Sequence, residues 1–262
     1  MESALEEIEF LALSSNRVEV LRLLSQRPHT RSELADETGA SQATLGRILT
    51  DFADRSWILR EGSQYTASPT GKLVAAGFTD LLEIIETESR LRDLVAYLPT
   101  EELEFDLRRL ADATITTPSR TRPNAPLKRL LELLEGASTV RTVSHAFNEQ
   151  TLTVVDAQTS AGEQSFFGVF SRAAIDDLAE EAELRRHLKR VVASEGATVG
   201  VVEEVPLAVM TVDDIVYLLL RDDQGILRAS IDTDDPAVRS WAEETIDTYR
   251  DHAEELTVED VL

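Results

Sequence analysis

The sequence contains no cysteine, which excludes disulfides, thiolate metal sites and a thiol nucleophile. Its four histidines, His29, His145, His187 and His252, are scattered without ligand spacing, and no glycine-rich phosphate loop is present. Neither a metal nor a cofactor is expected. No apolar run reaches the roughly 18 residues that a membrane-spanning helix needs. The opening MESALEEIEFLALSS sets acidic residues before its apolar positions, where a leader would have a basic start and an unbroken apolar core. A cytoplasmic protein without membrane attachment is expected. Lysine is also scarce: Lys72, Lys128 and Lys189 are the only three among 26 basic residues.

Carboxylates are abundant, 49 in 262 residues, for a formal net charge of −23. With 42% hydrophobic residues the chain is globular, and its length suits one large domain or two ordinary ones. The arginine-over-lysine, acid-rich balance resembles that of salt-adapted cytosolic proteins of haloarchaea; an ordinary acidic, solvated surface is the alternative. The charge is unevenly spread. Residues 1–78 hold 8 basic and 11 acidic residues, whereas the rest holds 18 and 38. Net charge bears on solubility and encounter, not on fold.

Val18, Leu21, Leu23 and Leu24 recur at helical spacing up to Arg27-Pro28, where the proline disfavours helix at the residue before it. Thr30-Arg31-Ser32-Glu33 reads as a capping box opening a short helix that ends at Gly39. Ser41 caps a third helix, whose buried stripe is Leu45, Ile48, Leu49 and Phe52. Gln42, Thr44 and Arg47 occupy the other face. Residues 57–60 and 64–67 alternate around Glu61-Gly62-Ser63 as a hairpin. Ser68-Pro69 then starts a helix of near thirty residues running toward Pro99, with an apolar stripe through Leu73, Leu81, Ile84, Ile85, Leu91 and Val95. Such a stripe finds a partner helix in a homodimer, or is covered by the rest of the same chain.

This order is a winged helix-turn-helix. An amphipathic third helix anchored by one face presents short polar side chains that reach base edges in a major groove. Gln42, Thr44 and Arg47 are the candidate readers of double-stranded DNA, with Ser41 at the helix start and Gln64 on the wing. Arg27, Arg31 and Lys72 are candidates for phosphate contacts, which position without specifying sequence.

From Leu103 strands alternate with helices. Strands are expected at 140–143, 166–170, 198–202, 207–211, 215–220 and 226–231, with helices at 172–192 and 236–256 and a linker-like run at 116–126. The fold class is therefore α+β: a winged helix-turn-helix, a long linking helix and a C-terminal α/β domain with a mixed sheet. Its expected boundaries are 1–78, 79–102 and 103–262. Asp213-Asp214 and Asp222-Asp223 read as turn formers.

Ser32-Glu33-Leu34-Ala35 to Trp57-Ile58 and Tyr65-Thr66-Ala67-Ser68-Pro69-Thr70-Gly71-Lys72 resemble the archaeal regulators of the ArsR and TrmB-like groups. Asp112 to Thr116, Pro123 to Pro126, Val140 to Ser144, Val205 to Val209 and the Trp241 to Arg250 segment are similar to the sensor domain of the filament and methanogenesis regulators. The resemblance implies a dimeric transcription regulator, not an enzyme, with a C-terminal domain that reads an effector. Such sensor domains are likened to phospholipase D folds, whose chemistry uses His-x-Lys; here the stretch is His145-Ala146-Phe147, so that signature is missing. Ser144 and His145, following a strand, are candidate effector contacts, and Arg120 and Arg122 are a candidate clamp for an anionic effector, or surface ion pairs. An enzyme acting on a small metabolite and a protein-interaction adaptor are the competing readings.

Overall fold

A computed structural model describes residues 1–261, which form two compact units divided between Glu88 and Ser89. The first contains α1 (Glu2–Ala12), α2 (Ser15–Gln26), β1 (His29–Thr30), α3 (Arg31–Thr38), α4 (Gln42–Asp54), β2 (Ile58–Glu61) and β3 (Gln64–Ala67), followed by α5 (Pro69–Leu91). The local signals act as expected. Arg27 is extended before Pro28, ending α2. Thr30 and Glu33 form both halves of the capping box, and Gly39 closes α3 at a φ of 69°, where a Cβ would be strained. The Ser41 hydroxyl accepts the Thr44 amide at the start of α4. Leu45, Ile48, Leu49 and Phe52 are all buried, packed with Val20, Leu24 and Leu34. β1, β3 and β2 form a small antiparallel sheet in that order.

Helix α1 was not foreseen. Its Phe10 ring lies edge-on to Phe52 and Trp57 at centroid distances of 6.2 and 6.0 Å, and the Arg55 guanidinium covers the Phe10 ring at 3.8 Å.

The start of α5 is set by a close approach of backbones. The Ser68 N–H donates to the Trp57 carbonyl at 2.8 Å, and the Ser68 hydroxyl accepts the Gly71 amide while donating to the Ser56 carbonyl. A Cβ on Gly71 would stand 1.9 Å from the Trp57 oxygen. At its other end α5 stops at Leu91, short of the expected run toward Pro99, and only a 3-10 turn at Val95–Tyr97 follows. The chain turns there because Leu91, Leu94 and Leu98 join Leu110 in the core of the second unit, and Arg90 donates to the Ala111 and Ala113 carbonyls.

The second unit holds β4 (Thr114–Thr116), α6 (Ala125–Leu134), β5 (Thr139–Ser144), α7 (Glu149–Ala161), β6 (Ser165–Ser171), α8 (Arg172–Glu180), α9 (Ala182–Val192), β7 (Ala197–Val202), β8 (Val209–Val212), β9 (Ile215–Arg221), β10 (Leu227–Thr233), α10 (Pro236–His252) and β11 (Glu254–Glu255). They make one mixed sheet in the order β11-β7-β6-β5-β8-β9-β10-β4. β5, β6 and β7 are mutually parallel and every other pair is antiparallel. One face packs against α10 and the Leu91–Leu110 segment; the other packs against α6 to α9.

Several elements of this unit differ from the sequence reading. The run at 116–126 contains the end of β4 and a tight turn closed by Ser119 and Arg122, and gives way to α6 at Ala125, so it is not a linker. Residues 172–192 form two helices, because Glu181 is extended (φ −88°, ψ 114°). The last helix stops at His252, and Glu254–Glu255 pairs with β7. α7 is an additional helix. The turn-forming role of the aspartates holds: Asp213, at φ 49°, accepts the Ser138 and Thr139 amides, and Asp222 accepts those of Gln224 and Ile226.

Candidate functional site

Helix α4 turns its polar face outward because four apolar residues fix the opposite face. At 3.6 residues per turn, Ala43, Gly46 and Thr50 fall between Gln42 on one flank and Arg47 on the other. Gln42, Ala43, Arg47 and Thr50 are exposed. The side chains of Gln42 and Arg47 have no hydrogen-bond or ion-pair partner among the described residues. Thr44 lies at the rim of this face, half-buried, and its hydroxyl is 2.9 Å from that of Ser41. Ser41 and Thr44 thus complete the helix start. Ala43 and Thr50 were missed, although the complement of the buried stripe marks them.

The cations around this face divide into two sets. Arg17 pairs with Asp51, Arg22 with Glu19, Arg27 with Glu37 and Arg55 with Glu7. Arg31 donates to the main-chain carbonyl of Gln42 and lies against Gly46, where a Cβ would come within 2.9 Å of it. Gly46 therefore makes room for Arg31. Of the candidates for phosphate contacts, Arg27 is thus paired with a carboxylate and Arg31 is held by a backbone carbonyl. Arg47, Arg60 and Lys72 have no carboxylate partner among the described residues. Arg60 folds back on the hairpin, its Nε donating to the Gly62 carbonyl and its guanidinium 5.3 Å from the Tyr65 ring centre. Gln64 is exposed on β3, opposite Glu61.

In the second unit, Thr142 and Ser144 of β5 face α6 and α7 across an apolar cavity of about 70 Å³, whose walls include Leu130, Leu152, Phe166, Phe170 and Tyr217. Phe147, standing where a His-x-Lys pattern has its lysine, stacks on Phe170 at 3.8 Å. Ser144 donates to the Ala146 carbonyl, closing its own loop. His145 lines two further cavities, an outer one with Leu207 and Arg221 and one with Leu152 and Leu178 against α7 and α8. Burial pushes the proton affinity of its ring below the usual value, opposed by a hydrogen bond with the Leu207 backbone and assisted by the Arg221 charge. Ser144 and His145 thus line different cavities, which share Ala146, Phe147, Asn148 and Leu152 as walls. Arg120 and Arg122 are exposed in the Ser119–Arg122 turn and line none of these cavities. The cation that lines both the apolar and the outer cavity is Arg221, at the end of β9. In sequence it reads as an ordinary charge at a strand end.

Elsewhere the charged groups hold the fold together. Asp156, buried on α7, meets His187 and Arg190 of α9; burial pushes its carboxyl up, and the Arg190 and His187 hydrogen bonds outweigh that and hold it below the usual range. Arg129 of α6 pairs with Asp232 of β10. Among the described residues no group of three histidine or carboxylate side chains is placed to hold a metal ion, and no helix is long and apolar enough to cross a membrane.

Among solved structures, the chain is similar to TrmBL2, described as an archaeal chromatin protein with a novel mode of DNA binding, at 13% identity over 95% of this chain and 98% of that one, with a TM-score of 0.44. About half of it is similar to Nuc, a phospholipase D family member from Salmonella typhimurium (12% identity, 55% of this chain and 99% of that one, TM-score 0.41), and to NucT from Helicobacter pylori (11%, 55% and 98%, 0.45). A comparison with curated proteins gave no match. Residues 5–90 match the HVO_A0261 N-terminal domain, and residues 123–252 match the middle domain of the methanogenesis regulatory protein FilR1. The first part of the chain is thus similar to the HVO_A0261 N-terminal domain family, and most of the second to the FilR1 middle domain family.

Proposed function

We propose that the chain is a sequence-specific, DNA-binding transcription regulator whose reading element is α4. The observation that carries this is the outward face of α4. Gln42 and Arg47, unpartnered and exposed, flank the small residues Ala43 and Gly46, while the buried stripe holds the helix in place. Glutamine pairs with adenine edges, arginine with guanine, and the small Ala43 between them lets the helix approach the groove floor, while Gly46 seats Arg31. The match of the second unit to a domain of a methanogenesis regulatory protein supports a regulatory role.

Residues 1–78 form the DNA-binding part, 79–102 the linking and dimerising part, and 103–262 the part that senses a small-molecule signal. Leu81, Leu82, Ile84 and Ile85 stand 38%, 39%, 38% and 53% exposed on α5. That is an apolar stripe of the kind a second copy covers, so the active form is a homodimer with recognition helices about one helical turn of DNA apart. The acidic, lysine-poor surface suits a halophilic cytoplasm.

Because four arginines of the first unit are paired to carboxylates, phosphate neutralisation is limited. With Arg47, Arg60 and Lys72 as the exposed cations of each protomer that lack a carboxylate partner among the described residues, log affinity for duplex DNA falls against log KCl with a slope of about −5 for a dimer. Fluorescence anisotropy across a KCl series checks this. A slope steeper than about −8 would mean that phosphate contacts, not base contacts, dominate binding.

A further inference from the structure

The cavity between the sheet and helices α6 and α7 has a chemistry of its own, and Arg221 sets it. β9 is antiparallel to β8, which is antiparallel to β5, so β9 runs the same way as β5 and their ends, Arg221 and Ser144, lie at one edge of the sheet. Alternation along β9 turns Tyr217, Leu219 and Arg221 toward the cavity and Val216, Leu218 and Leu220 toward the other core.

In a chain with 49 carboxylates, arginines of this unit are characteristically paired: Arg129 with Asp232, Arg141 with Asp247, Arg190 with Asp156, Arg228 with Asp222. Arg221 has no carboxylate partner among the described residues. Its hydrogen bond is from Nη1 to the Gly225 carbonyl of the following turn, at 2.7 Å. It is also half-buried, and burial lowers its pKa, the mark of a cation whose hydration is incompletely replaced. The adjacent Asp222 is turned away, saturated by Arg228 and two backbone amides; Asp223, which lines the outer cavity, is exposed.

We propose that this cavity binds a small monocarboxylate with an aliphatic body, the body lying among Leu130, Leu152 and Phe170 and the carboxylate paired with Arg221. The assignment deepens the reading of the second unit as signal-sensing and rests on it. The headgroup carries a single charge because Arg221 is the one cation among the described lining residues, and the lining hydroxyls are used: Thr142, Ser144, Thr151 and Tyr217 donate to the carbonyls of Val209, Ala146, Asn148 and Pro126. A phosphate dianion would leave one charge without a counterion in an apolar space, which is costly. Size points the same way. An apolar cavity of about 150 Å³ holds benzene, so about 70 Å³ suits a chain of a few carbons and not a nucleotide.

The test is thermal unfolding of the full chain, without DNA, in KCl progressively replaced by potassium pentanoate at fixed ionic strength. Pentanamide and inorganic phosphate serve as matched probes. Pentanoate raises Tm in a saturable manner, pentanamide at equal concentration has at most a tenth of the apparent affinity, and phosphate gives no saturable shift. R221Q lowers pentanoate affinity at least tenfold while its unliganded Tm stays at or above that of the parent, because an unpaired half-buried charge is removed. The amide comparison needs no variant, so it decides the matter even if R221Q folds poorly. No saturable response to pentanoate, an equal response to the amide, or an equal response to phosphate would each overturn the proposal. DNA binding is measured separately, so its failure would leave this result standing, and the reverse.

Discussion

Replacing Gln42 and Arg47 together by alanine lowers affinity for a specific DNA site by about 100-fold or more, since each good base contact contributes about 1–3 kcal/mol of discrimination. The fold does not change, because both side chains are exposed and unpartnered. Surface substitutions of that kind stay within about 0.5 kcal/mol. Anisotropy titration against the site, with thermal unfolding in parallel, separates the two effects. Arg47→Ala alone also relaxes selectivity at one base-pair position of each half-site, whereas Lys72→Ala, removing the proposed phosphate contact from both protomers, weakens binding to all sequences alike and makes the salt slope about two units shallower. Unchanged affinity in the double variant would take these residues out of the reading role.

The largest effect on stability is expected at Gly71. Its Cβ would meet the Trp57 carbonyl oxygen, a backbone atom already accepting the Ser68 amide, so nothing flexible can yield. Gly71→Ala separates the start of α5 from the chain leading into the wing and costs about 3 kcal/mol or more, at the upper end of overpacking. Gly77, on the same helix, is the internal control. A Cβ there meets nothing within 4 Å, so Gly77→Ala stabilises by about 0.5–1 kcal/mol through helix propensity. Denaturant midpoints of both variants measure the contrast; equal effects would show that helix propensity alone governs both positions.

The first unit was legible because its signals are local. A capping box, a proline, a left-handed glycine and one four-residue apolar stripe act within a few residues of themselves, and each is found where the sequence puts it. Where tertiary packing decides, the reading erred. The pattern of α5 continues in sequence through Leu91 and Val95, but Leu91, Leu94 and Leu98 are claimed by the core of the second unit and the helix ends. α7 carries β-branched residues at Thr151, Thr153, Val154 and Val155, which blur its period although Asn148 caps it well. α6 begins directly after a turn rich in proline and arginine that reads as a linker.

The site residues divide along the same line. Gln42 and Arg47 were readable because exposure on a helix follows from its period. The engagement of Arg31 by Gln42 and Gly46, and of Arg27 by Glu37, was not readable, because it depends on how α3 packs against its neighbours. Arg120 and Arg122 stand out in sequence as two arginines in an acidic region, yet burial singles out Arg221. A partner's absence cannot be seen in a sequence.

Selection from random duplex DNA by the full chain tests most directly whether α4 reads bases as part of a dimer. The predicted result is enrichment of a two-fold symmetric site, its half-sites about 10 base pairs apart, bound far more tightly than unrelated duplex at the same KCl concentration. Retention of duplexes without any enriched sequence, or no retention at all, would contradict it.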